Sequence, residues 1–281
     1  MQQTIFPAPA KLNLFLHVVG RRPDGYHLLQ TVFRFLDYGD RLSFTLRDDG
    51  AVRRANPVAG LDAERDLCVR AARLLQQESG CRTGVEIALD KRLPLGGGLG
   101  GGSSDAATTL LALNRLWTVN FSRERLQQLA LKLGADVPVF VFGENAFAEG
   151  VGERLQPLRL APAWYVVLVP PVAVSTAAVF ASLQLTRNTN PIKIADFSEG
   201  RFDGLGNDLE PVVCREYPEV ARHLAWLKQY GDAMMTGSGA CVFAAFPTQA
   251  EAERVRAQLP PEMRGFVAQG LDRHPLHGFA D

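Results

Sequence analysis

Cysteine is scarce, with four in 281 residues: Cys68, Cys81, Cys214 and Cys241. None forms a C-x-x-C pair or a zinc spacing, which excludes a disulfide scaffold, a thioredoxin-like motif and a zinc ribbon. Structural thiols in a reducing compartment are expected instead. Neither sign of charge is in excess, since 30 Lys+Arg balance 30 Asp+Glu. That argues against a nucleic-acid-binding face spread over the protein. No run approaches the roughly 18 uncharged apolar residues of a membrane span. Met1-Gln2-Gln3-Thr4-Ile5-Phe6-Pro7 lacks the basic start and apolar stretch of a secretory signal. There is no internal repeat, and no low-complexity tract beyond one glycine run. These absences predict a cytoplasmic protein without nucleic-acid or membrane partners.

What is present is ordinary globular material, 47% apolar and 21% charged. The length predicts two domains. Pro157 and Pro162, with turn residues around them, set the boundary, giving domains 1–158 and 159–281. Leu12, Leu14 and Leu16 alternate with polar or aromatic neighbours and read as a strand. Further strands are expected over 30–36 and 41–46, with Asp37-Tyr38-Gly39-Asp40 turning the chain between them. A helix is expected over 65–79, a strand over 84–89, and a helix at 123–133 capped by Ser122 and stopped by Gly134. The second half offers a strand at 164–169, helices near 175–184, 217–229 and 248–258, and strands at 241–246 and 265–269. Strands and helices alternate without a βαβ run, so an α+β layer architecture is expected in both halves.

The most informative segment is Pro94-Leu95-Gly96-Gly97-Gly98-Leu99-Gly100-Gly101-Gly102-Ser103-Ser104-Asp105, with six glycines in seven places. It leads into an apolar helix that starts with Ala106 and Ala107. Glycine is costly to order and buries nothing. Its concentration here reads as a backbone cradle for phosphate at a helix N-terminus, where unpaired N–H groups and the helix dipole favour an anion. The run satisfies a bare G-x-G-x-x-G, but Asp90-Lys91-Arg92-Leu93-Pro94 separates strand from glycines, unlike a dinucleotide fingerprint. Ser103-Ser104 follows Gly102 with no lysine, which removes the Walker A reading. A kinase glycine loop joins two strands, whereas this one opens a helix. Ser103 or Ser104 is placed to cap the helix, donate to phosphate or ligate Mg²⁺.

A cradle alone only binds; transfer needs a group that orients the attacking hydroxyl and another that stabilises charge. Lys11 and Asn13 lie two apart on a strand and share a face. A lysine there is either an exposed edge residue or a buried cation meeting an anion. Asp136, inside Leu133-Gly134-Ala135-Asp136-Val137-Pro138, is either the cap of a short helix or the orienting carboxylate. Gly25-Tyr26-His27 follows a turn and is either a tyrosine packed on the core or a surface for a nucleobase. Thr236-Gly237-Ser238-Gly239 is a plain turn or a phosphate contact, and Phe180 a core residue or a pocket wall. His274 and His277 read as surface residues rather than metal ligands.

Taken together, these segments resemble the GHMP kinase superfamily. The resemblance rests on Ala8-Pro9-Ala10-Lys11-Leu12-Asn13-Leu14, Arg22-Pro23-Asp24-Gly25-Tyr26-His27, the glycine run from Pro94 to Ser104, the Asp136 segment, Phe147-Ala148-Glu149-Gly150-Val151-Gly152-Glu153, Thr236-Gly237-Ser238-Gly239-Ala240 and Pro275-Leu276-His277. It spans nearly the whole chain and is strongest to the branch acting on a diphosphocytidyl methylerythritol in the non-mevalonate route to isoprenoid precursors. The resemblance implies an N-terminal ribosomal-protein-like α/β domain, a C-terminal ferredoxin-like domain, and a site in the cleft between them. It implies that ATP, with Mg²⁺ expected, phosphorylates the tertiary 2-hydroxyl of a small-molecule substrate, and that the enzyme is a monomer or weak homodimer. By the same resemblance Asp136 is the base or orienting carboxylate and Lys11 its cationic partner. Asn13 binds the erythritol, Tyr26 and Phe180 sandwich the cytosine, His27 bonds its edge, and Thr176 sits beside that pocket. Pro94, Leu95, Gly96, Gly97, Gly98, Leu99, Gly100, Gly101, Gly102, Ser103 and Ser104 cradle the phosphates, and Lys91 lies near the adenine. One departure is Asp66, which stands where the pattern has an asparagine beside the adenine. Two alternatives remain at this point: a mevalonate-type GHMP kinase, which has no use for a Tyr26-His27 stack, and a non-catalytic nucleotide-binding protein, which has no use for both Lys11 and Asp136.

Overall fold

The computed structural model describes residues 4–194 and 205–280. The chain opens with two long antiparallel strands, β1 (Phe6–Arg21) and β2 (His27–Arg47). The expected turn at 37–40 is absent, and β2 runs straight through it. The turn-forming residues are used for close contact instead. Gly39 faces Pro9, and a Cβ there would lie 2.1 Å from the Ala8 carbonyl oxygen. Next to it, the buried Asp40 carboxylate accepts the Arg92 and Leu93 N–H groups at 2.6 and 2.7 Å. Composition alone cannot separate a glycine that turns the chain from one that lets a neighbouring strand approach.

Strands β3 (Val52–Arg54), β4 (Gly84–Asp90), β5 (Ala146–Glu149) and β6 (Arg154–Pro157) complete the sheet of the first half. Four helices cover it: α1 (Leu67–Ser79), α2 (Gly101–Leu116), α3 (Arg123–Leu133) and α4 (Val137–Phe142). Ser122 caps α3 by accepting the Arg125 N–H, as its sequence predicts. The core here joins Phe33, Phe35 and Ile87 from the sheet to Leu75, Leu110, Leu111, Leu129 and Phe140 from the helices.

The second half contains β7 (Trp164–Leu168), α5 (Thr176–Ala181), α6 (Glu210–Glu216), α7 (Pro218–Leu227), β8 (Ala233–Met235), β9 (Val242–Phe246), α8 (Gln249–Arg256) and β10 (Gly265–Leu271). Its antiparallel strands lie in the order β10-β7-β9-β8, the split arrangement of ferredoxin-like folds. Helix α6 and strand β8 are too short for periodicity to reveal. The helix expected over 175–184 ends at Ala181. Half of the stretch 186–205, residues 195–204, lies outside the described residues.

The end of β10 pairs with the middle of β2, through Gly270↔Leu36 and Leu271↔Phe35, and so ties the two sheets together. The chain then returns to the first half, where Leu276 and Ala280 enter its core. This return overturns the surface reading of His274. It is 1% exposed, edge-on to Phe35 and Phe140, and its Nδ1 accepts the Leu276 N–H at 3.0 Å. Burial drives its pKa down to about 3, so it is a neutral core histidine. The four cysteines are free; burial pushes Cys241 up to about 12 and Cys68 also upward, as expected of inert structural thiols. Among the described residues no helix is long and apolar enough to cross a membrane.

If Gly39 serves the approach of β1, Gly39→Ala forces the two backbones apart. Urea unfolding is expected to show a loss of about 3 kcal/mol. A loss under about 0.5 kcal/mol would mean that the strands do not meet there as described.

Candidate active site

A cleft of about 910 Å³ lies where the two halves meet. Its walls come from β1, the start of β2, the glycine loop and the α3–α4 turn on one side, and from α5 and the 237–238 turn on the other. The glycine loop forms its floor. Gly96, Gly98 and Gly100 have φ of 67°, 75° and 70°, conformations that residues with a Cβ rarely adopt. Space is equally restrictive, because a Cβ on Gly98 would lie 2.2 Å from the Thr236 carbonyl oxygen. The loop is sewn to both halves: Lys11 N–H donates to Leu99 O at 3.0 Å, and Cys241 N–H donates to Gly97 O at 3.1 Å. Gly100 is the N-cap of α2 and supplies no side chain, so the N–H groups of the first turn remain available to a ligand.

Lys11 sits at the cleft's centre and is 2% exposed. It is therefore the buried cation and not an edge residue. Its Nζ donates to Asn13 Oδ1 at 2.5 Å and lies 3.3 Å from Asp136 Oδ2. It also stands 5.5 Å from the centroid of the Phe33 ring, a cation–π distance. Asn13 is fixed in turn, with Nδ2 donating to Thr31 Oγ1 at 2.9 Å and its backbone N–H donating to Thr236 Oγ1 at 2.9 Å. Thr236 thus braces Asn13.

Asp136 is followed by a short helix with proline in its first turn, yet its carboxylate caps nothing. It is 40% exposed and faces the cleft while its partner Lys11 is covered. A carboxylate freed from capping, paired with a buried ammonium and open to solvent on one side, is equipped to accept a proton from a bound hydroxyl.

The other end of the cleft is aromatic. The His27 and Phe180 rings stack at 4.9 Å and 28°. Tyr26 is 64% exposed and stands over the cleft, which rules out a tyrosine packed on the core. Thr176 Oγ1 and Ser238 Oγ share a 2.7 Å hydrogen bond across the rim. The His27 pKa is lowered, first by burial and then by the Arg187 and Arg21 charges. Arg187, whose Nε donates to His27 Nε2 at 3.0 Å, escapes sequence reasoning. It comes from a loop 160 positions away with no pattern to flag it.

One expectation needs correction. Ser104 is fully buried and does not line the cleft, because α2 starts at Gly101 and carries it into the helix; Ser103 is the hydroxyl that faces the ligand space. Asp66 is also buried. Its two carboxylate oxygens accept the Cys68 N–H at 2.8 Å and the Arg54 guanidinium at 2.9 Å, so it caps α1 and is spent on that ion pair. Every other sequence-predicted site residue lies on the cleft wall.

Lys91 reaches the same wall from behind. Its Nζ binds Asp40 at 2.5 Å and Asp105 at 2.8 Å, and it borders a second hollow of about 740 Å³ that Leu95 also lines. Burial disfavours its ammonium, but Asp105 and Asp40 outweigh that and raise its pKa. Burial pushes Asp105 up to about 8, with Lys91 opposing and Asp40 adding to the shift.

A glycine cradle at a helix N-terminus, facing a lysine–carboxylate pair, has the parts of a small-molecule phosphotransferase. Comparison with known proteins agrees. The family description "GHMP kinases N terminal domain" matches residues 66–144, and "GHMP kinases C terminal" matches residues 190–264. The chain is 65% identical over 278 residues to the 4-diphosphocytidyl-2-C-methyl-D-erythritol kinase of Nitrosospira multiformis, covering 98% of this chain and 94% of that protein. It is 65% identical over 274 residues to the enzyme of that name from Thiobacillus denitrificans, covering 98% of each. A crystal structure of 4-(cytidine 5'-diphospho)-2C-methyl-D-erythritol kinase aligns with a TM-score of 0.83 at 35% identity, over 95% of this chain and 99% of that one. Methanococcus jannaschii mevalonate kinase, at 15% identity with a TM-score of 0.67 over 96% and 99%, shares the fold. The chain belongs to the GHMP kinase family, within the branch of 4-diphosphocytidyl-2-C-methyl-D-erythritol kinases. Members of that family are ATP-dependent phosphotransferases.

The Asp105 shift has a testable sign. A carboxyl whose folded pKa is raised contributes its full stability below the unfolded value of about 4 and loses it as pH rises through about 8. Neutral, buried His274 adds the opposite slope below about pH 6.5, so urea unfolding between pH 7 and about 8 should show stability falling with pH, and Asp105→Asn should flatten that slope. An unchanged slope in the variant would show that Asp105 is ionised throughout.

Proposed function

We propose that this protein transfers the γ-phosphoryl group of ATP to the 2-hydroxyl of 4-diphosphocytidyl-2-C-methyl-D-erythritol. The observation that carries the reading is the placement of Asp136, uncapped and open to the cleft, 3.3 Å from buried Lys11 and beside the glycine floor. The acceptor hydroxyl gives its proton to the Asp136 carboxylate as its oxygen attacks the γ-phosphorus, and the bond from that phosphorus to the β-phosphate bridging oxygen breaks, releasing ADP. Lys11 pairs with that carboxylate at 3.3 Å and neutralises charge developing on the phosphoryl oxygens. Asn13 orients the erythritol. The backbone N–H groups between Gly96 and Gly102 and the N-terminus of α2 hold the phosphates, joined by the Ser103 hydroxyl. The tail of the substrate reaches the aromatic end, where Tyr26, Phe180 and His27 suit a flat, polar-edged base, with Thr176 at the rim. The hollow shared by Lys91 and Leu95 suits the adenine.

Mg²⁺ binds such sites through phosphate oxygens with only one or two protein ligands. The Ser103 hydroxyl, an oxygen donor on the cleft wall, fits that modest requirement. Bound there, the ion would offset phosphate charge. The small-molecule substrate and the absence of any apolar spanning helix among the described residues suit a cytoplasmic enzyme, working as a monomer or weak homodimer. Domains divided at 158/159 would each supply one wall.

A coupled ADP-release assay over several acceptors tests the substrate. Turnover is expected with the diphosphocytidyl substrate and not with mevalonate or galactose; the reverse pattern would sink the reading. Asp136→Ala is expected to lower kcat about a thousandfold while the ATP dissociation constant changes less than about threefold. Loss of ATP binding along with activity would make Asp136 a structural residue.

A further inference from the structure

We propose that Arg187 is a positioning residue that fixes the tautomer of His27 and thereby selects cytosine over uracil at the aromatic end of the cleft; this rests on the cytidylyl reading above. A guanidinium carries donors only. The His27 Nε2 that receives the Arg187 Nε–H at 3.0 Å must therefore be a lone-pair nitrogen, which puts the ring proton on Nδ1. The wall of the cleft then carries a ring donor. Cytosine offers a lone pair at N3 where uracil has an N–H, so a neutral Nδ1–H ring can satisfy the first and meets a second donor in the other.

The rest of the Arg187 side chain is committed to holding this arrangement. Nη1 donates to Leu185 O at 3.1 Å, and Nη2 donates to Phe180 O at 3.0 Å and Ser182 O at 2.6 Å. One guanidinium thus binds the ring at the start of β2 and the backbone at the end of α5, the helix that carries Phe180. The His27–Phe180 stack at 4.9 Å is clamped on both members by the same group. Protonating His27 would set an N–H against the Arg187 N–H, and the positive charges of Arg187 and Arg21 add to burial in holding the ring neutral.

Lysine cannot reproduce this fork, since its single nitrogen cannot reach one ring and three carbonyls together. The comparison is therefore between the unmodified protein, Arg187→Met and Arg187→Lys. Nitrogen-15 NMR of the ligand-free protein reads the His27 tautomer, and titration with cytidine 5'-diphosphate and uridine 5'-diphosphate reads the base preference. The unmodified protein should be protonated at Nδ1 and should prefer the cytidine nucleotide. Arg187→Met should show mixed tautomers and a preference reduced about tenfold, with KM for the cytidylyl substrate raised about tenfold and kcat within about twofold. Arg187→Lys, keeping a donor to Nε2, should restore the Nδ1 tautomer and part of the preference. An Nε2-protonated His27 in the unmodified protein overturns the proposal without any variant. A protein that prefers the cytidine nucleotide, and keeps both preference and tautomer in Arg187→Met, overturns the positioning role alone. An unmodified protein with no preference between the two nucleotides defeats the cytidylyl reading itself.

Discussion

The buried ammonium of Lys11 is the constraint around which the site is organised. An uncompensated cation in a dry setting costs several kcal/mol even after relaxation. Lys11 is compensated from three directions: the Asn13 amide oxygen at 2.5 Å, the Asp136 carboxylate at 3.3 Å and the Phe33 ring. Each partner carries further requirements. Asn13 can present its oxygen to Lys11 only because Thr31 takes its amide group and Thr236, from the other half, takes its backbone N–H. The glycine loop must also make room, since a Cβ on Gly100 would come within 3.0 Å of the Lys11 side chain. The charge proposed to serve the reaction is thus held by contacts drawn from both halves.

That arrangement separates binding from chemistry. The floor of the cleft is backbone, donated by glycines whose positive φ values no other residue would tolerate cheaply. The side chains proposed for the chemistry are carried by β1 and by the turn before α4, both backed by the first core. The residues proposed for base recognition lie at the far end, on the start of β2 and on α5. The proposed reaction thus has a phosphate, a hydroxyl and a base read by three different elements. The cleft at the junction of two sheets, tied by β10 on β2, is what lets them converge.

Much of this was legible from residue order, and the exceptions have a physical pattern. The glycine run, its helix, the Ser122 cap and the Lys11 and Asp136 segments depend on local chemistry that one stretch of sequence carries. Most of the exceptions depend on what lies opposite in space. Gly39 looks like a turn until β1 is found against it, and Asp40 looks like a turn residue until the 92–93 backbone is found on its carboxylate. His274 looks exposed until the chain is seen to return to the first core. Ser104 looks equivalent to Ser103 until the helix start is fixed at Gly101. Arg187 had no sequence signal, because its role exists only through a contact with His27. Even the pairing of Lys11 with Asp136 became visible only by resemblance, since no spacing connects residues so far apart.

The central claim is that Lys11 and Asp136 act as one unit, and a double-mutant cycle on kcat tests it most directly. Lys11→Met, Asp136→Asn and the double variant would be compared with the unmodified protein by single-turnover transfer from ATP, with nucleotide binding measured in parallel. If the pair is one unit, the double variant loses about as much rate as the worse single variant, a coupling of about 2 kcal/mol or more. Losses that simply add, leaving the double variant slower by the product of the two single effects, would mean that the ion pair is a neighbourly contact and that proton acceptance and charge stabilisation are independent.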